Sequence, residues 1–300
     1  TSGGTLTIGR FAGNTYGTFS MREVTSGGTL TVGKDAGGAF GSFTLADLTA
    51  GESFKIGASA GEVDGSFTMK DVTSEGTIDI ADNAGRDNGS FTMENVEIMS
   101  GDLLVGENAG AVKGTLSMDT VTVTDGYVDL GNWAGGDPTA SNNGGVAKLT
   151  NITVGDSLFV GAAAGKNDGF FTMADVKTGG DVSIGADAGF SGSFTMTNVN
   201  TRGSLDVGSF AGAGGSFLVN KLRTGGPINI REGAGGVGAF ALVDSTVKGN
   251  LTTGTSPAGS GSFNLLLNEI DGDLNFDGTM DTCLGNVISG SISADASACQ

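Results

Sequence analysis

One five-residue phrase recurs at a nearly constant interval along most of this chain. The phrase Gly-Ser-Phe-Thr-Met at residues 65–69 follows Gly-Ser-Phe-Thr-Leu at residues 41–45 by 24 residues, and it reappears 24 residues later at residues 89–93. Related copies begin at Gly17, Gly114, Gly192, Gly215 and Gly261. A fixed period over nearly a whole chain is the sequence signature of a solenoid, in which each repeat packs only on its neighbours.

A second phrase, Gly-x-aliphatic-x-aliphatic-Gly, alternates with the first and is clearest at residues 4–9 and 28–33. Both phrases alternate apolar with polar residues, the pattern of a strand that is buried on one face. An Ala-Gly pair such as Ala60-Gly61 lies between them and suits a tight corner, while Asp or Asn before the next aliphatic residue suits a second corner. Stacking these repeats places Phe19, Phe43 and Phe67 in one internal ladder.

Each coil is therefore predicted to contain a strand, an Ala-Gly corner, a second strand, and an Asx corner with a short third strand. The predicted fold is all-β, a single right-handed parallel β-helix of about 11–12 coils with 23–25 residues per coil. At ~4.8 Å per coil, 11 coils give a rod roughly 50–55 Å long. We expect the repeat array over residues 1–276, a loop insertion at about 135–145, and a C-terminal cap over residues 277–300.

Composition narrows the function classes. Glycine makes up 56 of 300 residues without a three-residue period, which excludes collagen. The net charge of -18 argues against nucleic acid and anionic membrane surfaces as partners. The sequence has no histidine, so the commonest general base and transition-metal ligand are missing. No apolar run is long enough to predict a membrane span, and Thr1 in first position indicates a processed chain.

The two cysteines, Cys283 and Cys299, both lie within the last 18 residues, where the repeat fades. Such a pair at the end of an acidic, glycine-rich chain predicts a disulfide that closes the C-terminal end in an oxidising compartment. Two free cytosolic thiols are the alternative. The pairing favours a secreted, extracellular or cell-surface protein.

Acidic residues were considered as catalytic or metal-binding groups. Asp79, Asp102 and Asp129 occupy successive coils and could form an acidic strip, but a solvated face is the favoured interpretation because histidine is absent and lysine and arginine are scarce nearby. Residues 273–278 (Asp-Leu-Asn-Phe-Asp-Gly) match the opening of a calcium loop, but Leu284 stands where a bidentate carboxylate is required. A strand with Leu274 directed inward is favoured there. No catalytic residue and no cofactor are predicted, with calcium as a weak alternative.

Two surfaces are candidate binding sites. Outward positions of the Phe phrase form two predicted hydroxyl columns over five coils, similar to the threonine arrays of ice-binding solenoids: Thr18, Ser20, Ser42, Thr44, Ser66, Thr68, Ser90, Thr92, Thr115 and Ser117. The inserted segment forms a candidate loop that begins at the only tryptophan: Trp133, Asp137, Asn142 and Asn143.

The periodic glycine-aliphatic phrases resemble those of bacterial extracellular β-solenoid proteins, namely autotransporter passengers and filamentous adhesins. This resemblance is architectural and transfers no site. It implies a non-enzymatic structural or adhesive fibre protein that associates with itself or with other surface proteins, and it leaves glycan as a further partner. The alternatives are a carbohydrate-active β-helix enzyme and an ice- or glycan-binding module.

Overall fold

The computed structural model describes residues 1–137, 143–255, 261–277 and 280–293. Over these residues the chain is an all-β solenoid of parallel strands with no helix. Each turn contributes a three-residue strand to a 12-stranded sheet, here the short sheet, and a longer strand to a 16-stranded sheet, here the long sheet. The predicted β-solenoid of about 11 turns is thereby confirmed.

The strands of the short sheet, in order, are Leu6–Ile8, Leu30–Val32, Phe54–Ile56, Ile78–Ile80, Leu103–Val105, Val128–Leu130, Leu158–Val160, Val182–Ile184, Leu205–Val207, Ile228–Ile230, Leu251–Thr253 and Leu274–Asn275. Those of the long sheet are Thr18–Ser26, Ser42–Ala50, Ser66–Ser74, Ser90–Ile98, Thr115–Val123, Val146–Val154, Phe170–Thr178, Ser193–Thr201, Ser216–Asn220, Arg223–Thr224, Ala239–Val243, Thr246–Val247, Ser262–Leu266, Glu269–Ile270, Thr282–Leu284 and Val287–Ile288. The last two add a rung within the segment predicted as a cap.

The predicted register is confirmed, because like residues stack on like. Leu30 pairs with Leu6 on one side and with Phe54 on the other. The Phe phrase forms two runs of parallel rings, the first over four coils and the second over five. Leu116 and Ala147 occupy the two rungs between the runs, next to the insertion. Apolar burial therefore continues through the whole stack even where the aromatic rings do not.

The Ala-Gly corner behaves as predicted. Ala60 is 1% exposed, and Gly61 has a φ of 65° in the left-handed region that glycine tolerates. A Cβ on Gly61 would lie 2.3 Å from the carbonyl oxygen of Ser90 in the next coil. The corner therefore requires glycine for two reasons, its backbone conformation and the close approach of the neighbouring rung.

The predicted third strand differs from the structure in the first eight coils. The Asx position, for example Asp71 at φ 52°, is a bend inside one continuous nine-residue strand. From Leu222 onward the strand divides into two parts. There the backbone N–H of Leu222 is bonded to the Ser245 hydroxyl, and that of Ser245 to the Asn268 side-chain oxygen. These side chains replace carbonyl acceptors and interrupt the ladder, which is why the division occurs only in the last coils.

Candidate functional site

The predicted hydroxyl face forms two columns in register on the outside of the long sheet. Ser42 pairs with Ser66, and Thr44 with Thr68, and the alignment extends without interruption from the Thr18 rung to the Thr115 rung. At the next rung the columns are occupied by Val146 and Lys148. The structure thus brings all ten predicted residues together on one flat surface, and it ends that surface at the insertion.

The candidate loop is anchored at both ends. The backbone N–H of Asn143 donates to Asp137 Oδ2 at 3.1 Å, so the two ends of the loop meet. Asn167 Nδ2 donates to the Asp137 carbonyl at 2.8 Å, and Lys113 N donates to the Asn143 carbonyl at 2.8 Å. Asp137 is fully buried, so its contacts hold the loop between adjacent coils. Asn142 lies outside the described residues.

Trp133 begins the same segment and covers a cation. Lys166 Nζ lies 5.4 Å from the Trp133 ring centroid and 5.0 Å from that of Phe190, and it pairs with Asp187 Oδ2 at 2.9 Å. Cation–π contacts of this kind favour a fixed ammonium position. The contacts of Trp133 therefore join three successive coils and stabilise the corner.

The three aspartates of the hypothetical acidic strip do not form one column. Asp79 and Asp129 both pair in register with Leu104, which separates them by two rungs. Asp102 lies at the corner before its strand, where its Oδ1 accepts from the N–H of Tyr127 at 3.1 Å. Asp181 and Asp273 occupy the same corner position and accept from the next rung in the same way. Their spacing in the sequence resembled that of strand residues because the corner directly precedes the strand.

Asp129 is the only aspartate of this group with a resolved perturbation. Its outward side chain lies between Leu104 and Phe159 of the neighbouring rungs. The resulting partial desolvation raises the pKa of the Asp129 carboxyl above its ordinary value. The cause is apolar cover alone, because no second carboxylate contributes to the shift.

The segment that matched a calcium loop is a strand in its described part. Leu274 and Phe276 are buried, and Leu274 pairs with Leu251. Asp273 Oδ1 accepts hydrogen bonds from the backbone N–H and the hydroxyl of Ser291, both at 2.8 Å, and these bonds lower the pKa of Asp273. Gly278 lies outside the described residues. Within the described ranges, no group of three metal-ligating side chains converges.

The C-terminal disulfide stays a prediction, because Cys299 lies outside the described residues. Cys283 is half-buried against the core, and Asn286 Nδ2 lies 3.1 Å from its sulfur. Cys283 pairs in register with Leu265, so it occupies the inward column of the last described rung.

A cationic groove on the bent side of the long sheet was missed by the sequence analysis. Lys177, Asn200 and Arg223 stack in one outward column on three successive rungs, and Arg202 lies beside Asn200. Two adjoining depressions of about 330 and 470 Å³ share Thr153, Lys177 and Asn200 in their walls. The available signal was the 23-residue spacing from Lys177 to Asn200 to Arg223.

Comparisons with family models, with curated proteins and with solved structures gave no match. In the part of the chain that the structure describes, no helix of the length and apolarity needed to cross a membrane occurs. Functional inference therefore depends on the surfaces described above.

Proposed function

We propose that this chain is a non-enzymatic structural or adhesive protein of the cell surface or extracellular space, a rigid rod that assembles end to end. The continuous core carries the proposal. Phe43, Phe67 and Phe91 are fully buried in one stack, and backbone hydrogen bonds join every coil to the next. A rod in which each rung is held by its neighbours transmits load and displays long polar faces.

The two terminal rungs support assembly. In the first coil Phe19 is half-buried, whereas Phe43 one rung later is fully buried. In the last described rung Leu284 is 66% exposed and Val287 is 64% exposed. Parallel strands at such ends carry unpaired N–H and C=O groups that template further strands. A second copy of the chain supplies the same strand layout, so its first rung is the matching surface for the last rung.

Negative-stain microscopy of the purified protein tests this assembly. We expect filaments whose subunit repeat equals one rod, and we expect Leu284→Lys to shorten them because it places a charge in the end contact. Val237→Lys is the matched control, since Val237 is equally exposed but lies on the side of the rod. Monodisperse single rods of the unmodified protein at high concentration would refute the proposal, as would equal shortening by both variants.

The hydroxyl face supports a second candidate function, binding of an ordered lattice such as ice or of a glycan. Its two columns stay in register over five rungs, so the hydroxyl groups repeat at the ~4.8 Å spacing of a sheet. Thermal hysteresis that Thr44→Tyr or Thr68→Tyr abolishes would favour ice. Glycan binding lost in the same variants, without hysteresis in the original protein, would favour a sugar surface.

A further inference from the structure

The cationic groove concentrates positive charge on a strongly acidic protein. The chain has a net charge of -18, yet Lys177, Arg202 and Arg223 line the two depressions together. Among the described residues, the salt bridges involve other cations, so none of these three is paired with a carboxylate. A protein with abundant acidic residues leaves these three charges available to a ligand.

The neighbouring outward positions are neutral. Thr153 precedes Lys177 in the column, Asn200 separates Lys177 from Arg223, and Thr246 follows. Glu97 and Glu269 occupy the same column, but each is at least two rungs away from the cations. The local field at the centre of the groove is therefore positive although the whole molecule is acidic.

One carboxylate lies at the edge of the groove. Asp175 lines the second depression, where its Oδ1 accepts a hydrogen bond from Asn198 Nδ2. The first depression contains no acidic residue; its walls combine Lys177 and Arg202 with Thr153, Thr178 and Asn200. An anionic group is therefore best placed in the first depression, on the side away from Asp175.

We propose that this groove binds an acidic oligosaccharide, with sugar carboxylate or sulfate groups on Lys177, Arg202 and Arg223 and sugar hydroxyl groups on Thr153 and Asn200. Arginine holds carboxylate and sulfate through paired N–H donors. Lys177 and Arg223 are two rungs apart, roughly 9.6 Å at the ~4.8 Å spacing of a sheet. A chain lying along the solenoid therefore meets a cation at each end of this interval.

The walls favour a sugar over other anionic chains. Single-stranded nucleic acid is bound largely by bases stacked on aromatic rings, and no aromatic side chain lines either depression. An acidic peptide added as a strand needs a free sheet edge, but the strands here pair with neighbours on both sides. Hydroxyl and amide side chains suit the many hydroxyl groups of a saccharide.

This inference rests on the adhesive part of the proposed function and gives it a ligand class, but it does not depend on end-to-end assembly. Filaments without saccharide binding would overturn the groove alone. Single rods that still bind would overturn the assembly alone.

Fluorescence anisotropy with three labelled oligosaccharides of equal length tests the groove: an oligogalacturonate, a sulfated oligosaccharide and a neutral one. We expect binding of at least one acidic probe, weakening as salt is raised, and no binding of the neutral probe. The variant Lys177→Glu/Arg202→Glu should weaken binding about tenfold or more, because it removes two charge-assisted contacts and adds like charge.

The matched control is Lys34→Glu/Lys55→Glu, which makes the same change in net charge at exposed positions in the second and third coils. We expect it to alter the affinity less than twofold. Equal weakening in both variants would overturn the proposal by showing a general charge effect. Absence of binding to both acidic probes would overturn it too, as would tighter binding of a single-stranded oligonucleotide of equal charge.

Discussion

The rings of Phe194 and Phe217 are parallel, with centroids 4.7 Å apart and an interplanar angle of 2°. Phe171 and Phe240 continue the stack on either side. Parallel strands in register impose this arrangement, because each ring must sit one rung from its copy. The ladder contributes apolar burial and also specifies register, since a slip by one residue would direct every ring outward.

Truncation in this ladder should be costly. We expect Phe194→Ala to destabilise the surrounding rungs by about 3–5 kcal/mol, because the cavity has fixed walls above and below. Native-state hydrogen exchange of the neighbouring strand amides measures this local loss. Phe19→Ala is the control, with a smaller effect expected because Phe19 is half-buried and has one stacked neighbour. Equal losses for both variants would contradict the ladder argument.

The Ala-Gly corner should tolerate no side chain on its glycine. Gly61→Ala combines a left-handed backbone with a Cβ 2.3 Å from the Ser90 carbonyl oxygen. We expect a loss of about 2–4 kcal/mol, seen as a lower melting temperature. Gly9→Ala serves for comparison because its Cβ would meet nothing within 4 Å. A melting temperature unchanged by Gly61→Ala would show that the corner can relax.

The polar ladder of the last coils makes an unusual prediction about Asn268. Val176 occupies the equivalent position in an earlier coil, so a hydrophobic substitution looks conservative. Asn268 is buried, however; its Oδ1 accepts from Ser245 N, and its Nδ2 donates to the Leu242 carbonyl at 2.9 Å.

Asn268→Val leaves both of those backbone groups without a partner, and we expect a loss of about 2–4 kcal/mol in urea unfolding. The exposed Asn275, on the outside of the short sheet, provides the control substitution Asn275→Val. Stabilisation by Asn268→Val would indicate that the strand had become continuous, as it is in the earlier coils.

The raised pKa of Asp129 predicts a pH dependence. A folded-state pKa above the unfolded value means that the protonated carboxyl is favoured in the folded state. That contribution is complete below the unfolded pKa and is lost as pH rises through the folded pKa. NMR titration of the Asp129 carboxyl measures the shift directly.

Replacing the apolar neighbour tests the cause of that shift. Phe159→Ala should return the pKa of Asp129 toward the ordinary value of about 3.9, because water then reaches the carboxyl. Phe210→Ala removes a similarly exposed ring elsewhere on the rod and should leave the titration unchanged. A pKa of Asp129 that is the same in both variants would rule out desolvation by Phe159.

The surfaces divide into those that the repeat predicts and those that it does not. The hydroxyl face was predictable because Ser and Thr recur at the outward positions of a well-marked phrase. The cationic groove was not, because Lys177 and Arg223 are 46 residues apart and belong to the less regular end of the repeat. The alignment of Asp102 failed for a related reason, since a one-residue offset moves a side chain from strand to corner.

The sequence by itself determined the solenoid, the inward Phe and aliphatic ladders and the glycine corners. Each follows from a short pattern repeated at constant period, and burial of one strand face depends only on that local alternation. The tertiary structure alone decided where the long strand bends or divides, and which polar side chains meet across rungs. Those outcomes depend on which backbone N–H group each side chain reaches in the next coil. Ser245 and Asn268 divide the strand because their side-chain oxygens take the place of carbonyl acceptors, a contact between coils that no single repeat contains.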